Sequence, residues 1–122
     1  MDESNLLIVD GANVVGSVPD GWWRDRRGAA ERLRDRLALR DRGEEIVLVV
    51  EGAARGVASV PGVRVDEAPG SGDDRIVELA AAACAERGDG GCVVVTADRE
   101  LRERVRAYGA RCVGPRTVRP DA

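Results

Sequence analysis

The stretch Leu-Leu-Ile-Val-Asp-Gly at residues 6–11 gives the clearest indication of the fold. Four consecutive apolar residues are followed at once by an acid and a glycine, a pattern typical of a short buried strand that ends in a turn. A similar apolar run at residues 46–50 ends in Glu51 and Gly52. Because strands that are apolar on both faces are typical of parallel sheets covered by helices, the two runs favour an α/β domain.

The rest of the chain alternates between helix-like and strand-like patterns. Apolar residues recur every three or four positions in three predicted helices, at about residues 25–42, 73–87 and 101–108. Short apolar runs predict further strands at residues 63–65, 92–95 and 111–113. This regular alternation predicts a three-layer α/β/α domain with a mainly parallel sheet of about five strands.

The length of the chain, 122 residues, suits one domain. Since no linker or repeat interrupts the pattern, we predict a single domain over residues 1–122, with a core of about residues 5–114 and a loose tail at 115–122. The amino terminus lacks the features of a signal peptide, and no apolar run approaches the roughly 18 residues that span a bilayer. We therefore expect a cytoplasmic protein with no membrane partner and with reduced cysteines.

The composition excludes several catalytic mechanisms. The chain has no histidine and no lysine, so all 19 basic residues are arginine. Triads and acid–base ribonucleases that use histidine, Schiff-base lysines and the P-loop lysine are therefore excluded. Polar chemistry must come from carboxylates, arginine, hydroxyl or amide groups, a thiolate, or a metal ion that the carboxylates hold.

Arginine is concentrated in residues 24–42, which contain eight of these side chains. The net charge of the chain is −3, which argues against a purely electrostatic nucleic-acid binder. A basic segment beside an acidic pocket nevertheless suits a metal-dependent phosphodiesterase. A solvated helix face with interleaved acids explains the same pattern.

Acidic residues occur where the predicted strands end. Six of them follow a strand or begin the helix after it: Asp10, Glu51, Asp73, Asp74, Asp98 and Glu100. Ligands of parallel sheets bind outside the carboxyl ends of the strands, so we expect these acids to converge at one edge. Two carboxylates about 4 Å apart repel by about 4 kcal/mol at an effective dielectric constant of about 20, which favours a cation among them. Ligand sets of oxygen atoms alone favour Mg²⁺ or Mn²⁺ over zinc.

Several of these residues also have a purely structural explanation. Ser71 and Asp74 fit a helix capping box, and Asp98 suits the cap of the helix that follows it. Asn13, in a glycine-flanked loop after the first strand, either orients a metal-bound water or forms an Asx turn. Capping does not explain acids at the ends of both long apolar runs.

Two tryptophans precede the arginine-rich segment. We predict that Trp22 and Trp23 contact RNA, with one of them stacked on a base beside Arg24 and Arg27. In a chain with only 2% aromatic residues, the alternative is that at least one of the two fills the core.

Four motifs, in this order, resemble the NYN domains of the PIN-like nuclease group, and most closely their YacP-like branch. They are LLIVDGANVVG at residues 6–16, VVEG at 49–52, GDDRI at 72–76 and VVTAD at 94–98. The chain departs from the family pattern at Ala12, Glu51 and Glu100. The resemblance implies that the first and fourth strands are neighbours, which would place Asp10 beside Asp98, and it implies metal-dependent cleavage of RNA.

These observations together lead to the hypothesis of an endoribonuclease. The predicted ligands of one or two Mg²⁺ or Mn²⁺ ions are Asp10, Asp73 and Asp98, and the predicted auxiliary acids are Glu51, Asp74 and Glu100. Arg75 and the arginines of residues 24–34 are predicted to hold the phosphodiester backbone. RNA, either free or on the ribosome, is the expected partner.

Two other functions fit the same residues. A non-catalytic RNA-binding module on the same fold would bind RNA equally well with and without Mg²⁺. A phosphoryl-transfer domain with Asp10 as nucleophile is less well supported. Receiver-type domains need a lysine, and haloacid-dehalogenase-type phosphatases need an acid at the position of Ala12.

Overall fold

Five parallel strands form one sheet in the part of the chain that the structure, a computed structural model, describes: residues 5–40 and 43–122. The strands are β1 (Leu6–Asp10), β2 (Glu45–Val50), β3 (Arg64–Glu67), β4 (Cys92–Val95) and β5 (Arg111–Val113). Their order across the sheet is β3-β2-β1-β4-β5, so β1 lies at the centre with β4 beside it. The predicted fold class and the predicted contact between the first and fourth strands are confirmed.

Helices cover both faces of this sheet. They are α1 (Gly11–Val15), α2 (Arg26–Ala38), α3 (Gly72–Arg87) and α4 (Arg99–Arg106). Alternate residues of β1 belong to different core clusters, since Leu7 and Val9 pack on the side of α2, and Ile8 on the side of α3 and α4. A helical layer on each face gives the three-layer architecture. No helix in the described ranges is long and apolar enough to cross a membrane.

The connections between strands create a switch point at the centre of the sheet. From β1 the chain passes through α1 and α2 to β2, on one side of β1; from β3 it passes through α3 to β4, on the other side. The connections therefore diverge at the carboxyl ends of β1 and β4, which is where open α/β sheets bind ligands. Asp10 and Thr96 lie at this point.

Some elements differ from those that the sequence predicts. Helix α2 ends at Ala38, short of the predicted residue 42, and residues 41 and 42 lie outside the described part. The predicted loop after β1 begins with the short helix α1, because the Asp10 side chain accepts a hydrogen bond from the backbone N–H of Asn13 and caps it. Capping therefore does account for the acid at the end of the first apolar run, whereas Glu51 makes no side-chain cap hydrogen bond to the short 3₁₀ helix that follows it.

The carboxyl-terminal tail is packed as far as Val118. A short 3₁₀ helix, Pro115–Thr117, leads to Val118, which is 4% exposed and belongs to the core cluster on the α2 side. Arg40 donates a hydrogen bond of 3.1 Å to the carbonyl of Thr117. The expected loose tail is thus not observed up to Val118, because apolar burial and this contact fix the segment.

Candidate carboxylate site at the sheet edge

Asp10 is the central acid of the candidate site. It ends β1, caps α1 and is only 6% exposed. Its Oδ1 accepts a hydrogen bond from the backbone N–H of Asn13 at 3.3 Å, and its Oδ2 accepts one from the Thr96 hydroxyl at 2.9 Å. Among the described residues, no arginine forms an ion pair with Asp10. A buried carboxylate is costly to ionise without a partner of opposite charge, which favours a cation beside it.

Thr96 links the acids at the ends of the two central strands. In the parallel register Val9 lies opposite Val95, so Thr96 comes next to Asp10. Its side chain is fully buried, donates to Asp10, and accepts a hydrogen bond from the backbone N–H of Asp98 at 3.1 Å. Thr96 was not among the predicted site residues. The signal that identifies it is a hydroxyl directly after a buried strand, in register with an acid on the neighbouring strand.

Asn13 and Asp98 connect the segments that follow β1 and β4. The side-chain carbonyl of Asn13 accepts a hydrogen bond from the backbone N–H of Ala97 at 2.9 Å. Asp98 caps α4 by accepting a hydrogen bond from the backbone N–H of Leu101 at 3.0 Å. The cap uses one of the two carboxylate oxygens, so capping and metal ligation by Asp98 are compatible.

Glu51 and Asp73 extend the acidic edge towards α3. Glu51, directly after β2, accepts a hydrogen bond from the backbone N–H of Gly72 at 2.7 Å. A Cβ atom on Gly72 would lie 3.1 Å from the Glu51 carboxyl group, so glycine permits this close approach. Asp73 is half-buried in the first turn of α3, where the helix dipole favours an acid.

These acids act on one another electrostatically. The pKa of Asp10 is raised from 3.8 to about 6, mainly by burial and also by the negative charges of Asp73 and Glu51, against the lowering effect of its hydrogen bonds. The pKa of Asp73 is raised too, first by burial and then by the charges of Asp98 and Glu51, whereas Arg104 lowers it. Acids from four separate segments therefore lie within electrostatic range at one edge of the sheet.

The donor set fits a hard divalent cation bound partly through water. In residues 5–40 and 43–122, no three acidic or cysteine side chains are arranged to hold a metal ion directly. Mg²⁺ does not require such a cage, because it keeps several water ligands and is usually bound by one or two carboxylates. As they lie in this structure, Asp10, Asp73 and Asp98 do not together ligate one ion directly.

Asp74 and Glu100 lie at the outer rim of the acidic edge. The Asp74 side chain is exposed and pairs with Arg104 at 2.9 Å, while its backbone N–H donates to the Ser71 hydroxyl at 3.4 Å. Glu100 is exposed in the first turn of α4. Arg104, which was not predicted, is a basic group that acts on Asp73 and Asp74 from the neighbouring helix.

Arg75 is bound to other acids of the domain. Its guanidinium donates two hydrogen bonds to Asp66 on β3, at 2.8 and 2.9 Å, and one to Glu78 at 3.2 Å. The hydrogen bonds from Arg75 lower the pKa of Asp66. An RNA phosphate would have to compete with this bidentate pair, so the predicted RNA contact of Arg75 is less favourable than the sequence suggests.

The two tryptophans have different environments. Trp22 is half-buried and packs against the core, whereas Trp23 is 50% exposed; the rings meet edge to face with centroids 5.8 Å apart. Arg24, Arg26 and Arg27 are exposed next to them, and the Arg26 guanidinium lies over the Trp22 ring, 5.4 Å from its centroid. Trp22 therefore contributes to the core, and the contacts of Trp23, Arg24 and Arg27 with RNA stay a prediction.

The cysteines do not provide a nucleophile at this site. Cys84 and Cys92 are buried, and neither they nor Cys112 form a disulfide in this structure. Burial raises the pKa of Cys84, and it raises that of Cys92 to about 12, so both thiols are protonated at neutral pH.

A larger and a smaller cavity open at opposite ends of the strands. The larger, of about 720 Å³, lies beside the first residues of β2 and β3, next to Ile46 and Arg64. None of the candidate site acids lines it. The smaller, of about 410 Å³, is lined in part by Gly11, Trp22 and Glu51 and adjoins the acidic edge. Of these two, the smaller cavity is the one that lies beside the acidic edge, since Gly11 directly follows Asp10.

Replacing Thr96 by valine is expected to weaken cation binding without leaving a cavity in the core. Valine has nearly the same shape, but it leaves Asp10 Oδ2 without its donor and the backbone N–H of Asp98 without its acceptor. Because the hydroxyl lowers the pKa of Asp10, its loss should move the pH at which binding is half-maximal upwards. We expect the affinity for Mn²⁺ at neutral pH to fall about 10- to 100-fold, as measured by calorimetry across a pH series.

The control is Thr96→Ser, which keeps the hydroxyl and removes only a methyl group. It should retain the wild-type pH dependence even if it lowers thermal stability. Equal behaviour of the valine and serine variants would show that the hydroxyl does not position Asp10.

Comparison with known proteins supports the fold assignment. The chain is similar to the crystal structure of Rae1 (YacP) from Bacillus subtilis, with a TM-score of 0.78 and 23% identity, over 99% of this chain and 73% of that chain. The W164L mutant of Rae1 gives a TM-score of 0.72 and 22% identity, over 96% and 73% of the two chains. No family model and no curated protein matches the sequence. The chain therefore has the α/β fold of Rae1 (YacP), which is the fold that its sequence resemblance to the YacP-like branch implies.

Proposed function

We propose that this protein is a metal-dependent endoribonuclease. The observation that carries the proposal is the position of Asp10, a buried acid with a raised pKa at the switch point of the sheet. The negative charges of Asp73 and Glu51 help to raise the pKa of Asp10, and that of Asp98 helps to raise the pKa of Asp73. Such a concentration of like charge destabilises the fold unless it serves to bind a cation, so it is typical of functional sites.

We assign to the acids the roles that the sequence suggests. Asp10, Asp73 and Asp98 would hold Mg²⁺ or Mn²⁺, directly or through water, with Glu51, Asp74 and Glu100 as auxiliary acids. When bound, the cation would lower the pKa of a water molecule and offset the charge that develops on the phosphate oxygens, which compensates for the absence of histidine.

Other side chains orient these acids and bind the substrate. Thr96 fixes Asp10 and the backbone of Asp98, and Asn13 joins the two segments that carry them. The exposed Arg24 and Arg27 would hold the phosphodiester backbone by charge-assisted hydrogen bonds.

RNA is the proposed substrate because two features favour it. The first is the resemblance of the sequence motifs to those of NYN nucleases, with which the fold of Rae1 (YacP) agrees. Next to the acidic edge, tryptophan and arginine side chains offer stacking and ionic contacts of the kind that bind unpaired nucleotides.

The proposal is tested by incubating end-labelled single-stranded RNA with the protein in Mg²⁺, in Mn²⁺ and in EDTA. We expect internal cleavage with either cation and none in EDTA, since the acids alone supply no activated water. RNA that is bound to the same extent in all three conditions and is never cleaved would contradict an enzymatic function and support an RNA-binding module.

A further inference from the structure

The smaller cavity beside the acidic edge, which we call the Trp22 cavity, has the form of a ligand site. Its volume is about 410 Å³, within the range of about 300–1,000 Å³ that is typical of small-molecule pockets. Its lining combines apolar, aromatic and charged groups, among them Gly11, Val15, Trp22, Arg26, Glu51 and Ala54. Few polar groups in a mainly apolar wall are typical of sites that bind a flat, partly polar group.

One wall of the cavity is suited to stacking. The Trp22 ring is held by its packing against the core and by an edge-to-face contact with Trp23. The Arg26 guanidinium lies over the Trp22 ring and lines the same cavity. Indole rings and guanidinium planes are the surfaces on which unpaired bases stack, whatever the base.

The cavity is continuous with the catalytic acids of the proposed function. Gly11 directly follows Asp10, and Glu51 is one of the acids that raise the pKa of Asp73. A nucleotide whose phosphate lies at Asp10 would therefore have its own base, or that of the next nucleotide, beside the Trp22 cavity.

We propose that the Trp22 cavity binds one unpaired base of the RNA, from a nucleotide adjacent to the phosphodiester bond that is cleaved. The inference rests on the proposed function and adds that the substrate is single-stranded at this nucleotide. A base held in a paired helix stays stacked on its neighbours and cannot enter a pocket of this kind.

The test uses a cavity-filling variant with a matched control. Ala54 lines the cavity, whereas its neighbour Ala53 is exposed and does not, so Ala54→Leu should occupy the space and Ala53→Leu should not. A second pair removes one positive charge: Arg26→Ala at the cavity and Arg36→Ala, which is exposed further along the same helix and outside the cavity. The second pair leaves the core intact and keeps the proposal testable if Ala54→Leu does not fold.

The measurement is the affinity for a labelled six-nucleotide RNA in EDTA, where cleavage does not occur, and for the same RNA with a single abasic nucleotide at each position in turn. For the wild-type protein we expect one abasic position to weaken binding about tenfold or more. In Ala54→Leu and Arg26→Ala that difference should shrink or vanish because intact RNA binds more weakly. In Ala53→Leu and Arg36→Ala it should remain.

The outcomes separate the two proposals. If the wild-type protein cleaves RNA but no single abasic position affects binding, or if the cavity variants bind like their controls, the base pocket is wrong and the nuclease stands. If one abasic position weakens RNA binding but RNA is never cleaved, the proposal of a base pocket stands and the proposal of a nuclease is wrong. Equal affinity for single-stranded RNA and a fully paired duplex would overturn the pocket.

Discussion

Asp10→Asn is expected to reduce metal-dependent RNA cleavage by at least about a hundredfold. Asparagine keeps the shape of the side chain and one of its two acceptor oxygens, but it removes the negative charge that a cation requires. Loss of a residue that only supports a metal ligand typically lowers metal affinity or activity about 10- to 100-fold. Loss of a central ligand should therefore lower activity by at least about a hundredfold. The rate of cleavage of labelled RNA in saturating Mn²⁺ measures the effect.

The matched control for this substitution is Asp89→Asn. It makes the same chemical change in the exposed segment that precedes β4, at the opposite end of the strand from Thr96. We expect it to retain wild-type activity. If Asp10→Asn cleaved RNA at the rate of Asp89→Asn, Asp10 would have no role in catalysis.

The second prediction concerns the stability of the protein without a divalent cation, which should decrease as the pH rises from about 4 to 7. The pKa of Asp10 is about 6 in the folded protein against 3.8 ordinarily, so the folded state binds the proton more tightly than the unfolded state. Its contribution to stability is therefore complete below pH 3.8 and is lost as the pH rises through about 6. A difference of this size corresponds to at most about 3 kcal/mol.

Asp10→Asn should remove the part of this pH dependence that Asp10 causes, because its amide cannot ionise, and should leave the smaller part due to Asp73. In EDTA at pH 7.5 we expect the variant to be more stable than the wild type by about 1–2 kcal/mol, and near pH 4 the two should be similar. Mg²⁺ or Mn²⁺ should stabilise only the wild type appreciably. Urea unfolding at several pH values, with and without cation, measures these differences; a variant that is less stable than the wild type at pH 7.5 would contradict the assigned cause.

Much of the fold follows from local pattern. The apolar run of β1 is too short for a helix and lacks alternation, so it has to be a strand buried on both faces. Once strands and helices alternate, parallel pairing follows, and with it the common edge at which Asp10, Glu51 and Asp98 emerge. The convergence of the acids could therefore be predicted without knowing which strands are neighbours.

Other features depend on contacts that no local pattern contains. Thr96 acquires its role only because the register places it beside Asp10. The ion pair of Arg75 with Asp66 depends on how α3 lies against β3, and the burial of Val118 depends on an opening in the core that only tertiary packing creates. The Trp22 cavity likewise forms where separate segments meet.

Binding of Mn²⁺, followed by the loss of its free-ion electron paramagnetic resonance signal, tests most directly the claim that acids from distant parts of the chain share a divalent cation. The wild-type protein should bind Mn²⁺ at neutral pH, Mg²⁺ should compete for it, and both Asp10→Asn and Asp73→Asn should weaken binding at least about tenfold. Asp89→Asn should bind like the wild type. If none of these proteins bound Mn²⁺, or if all bound it equally, the acidic edge would not be a metal site.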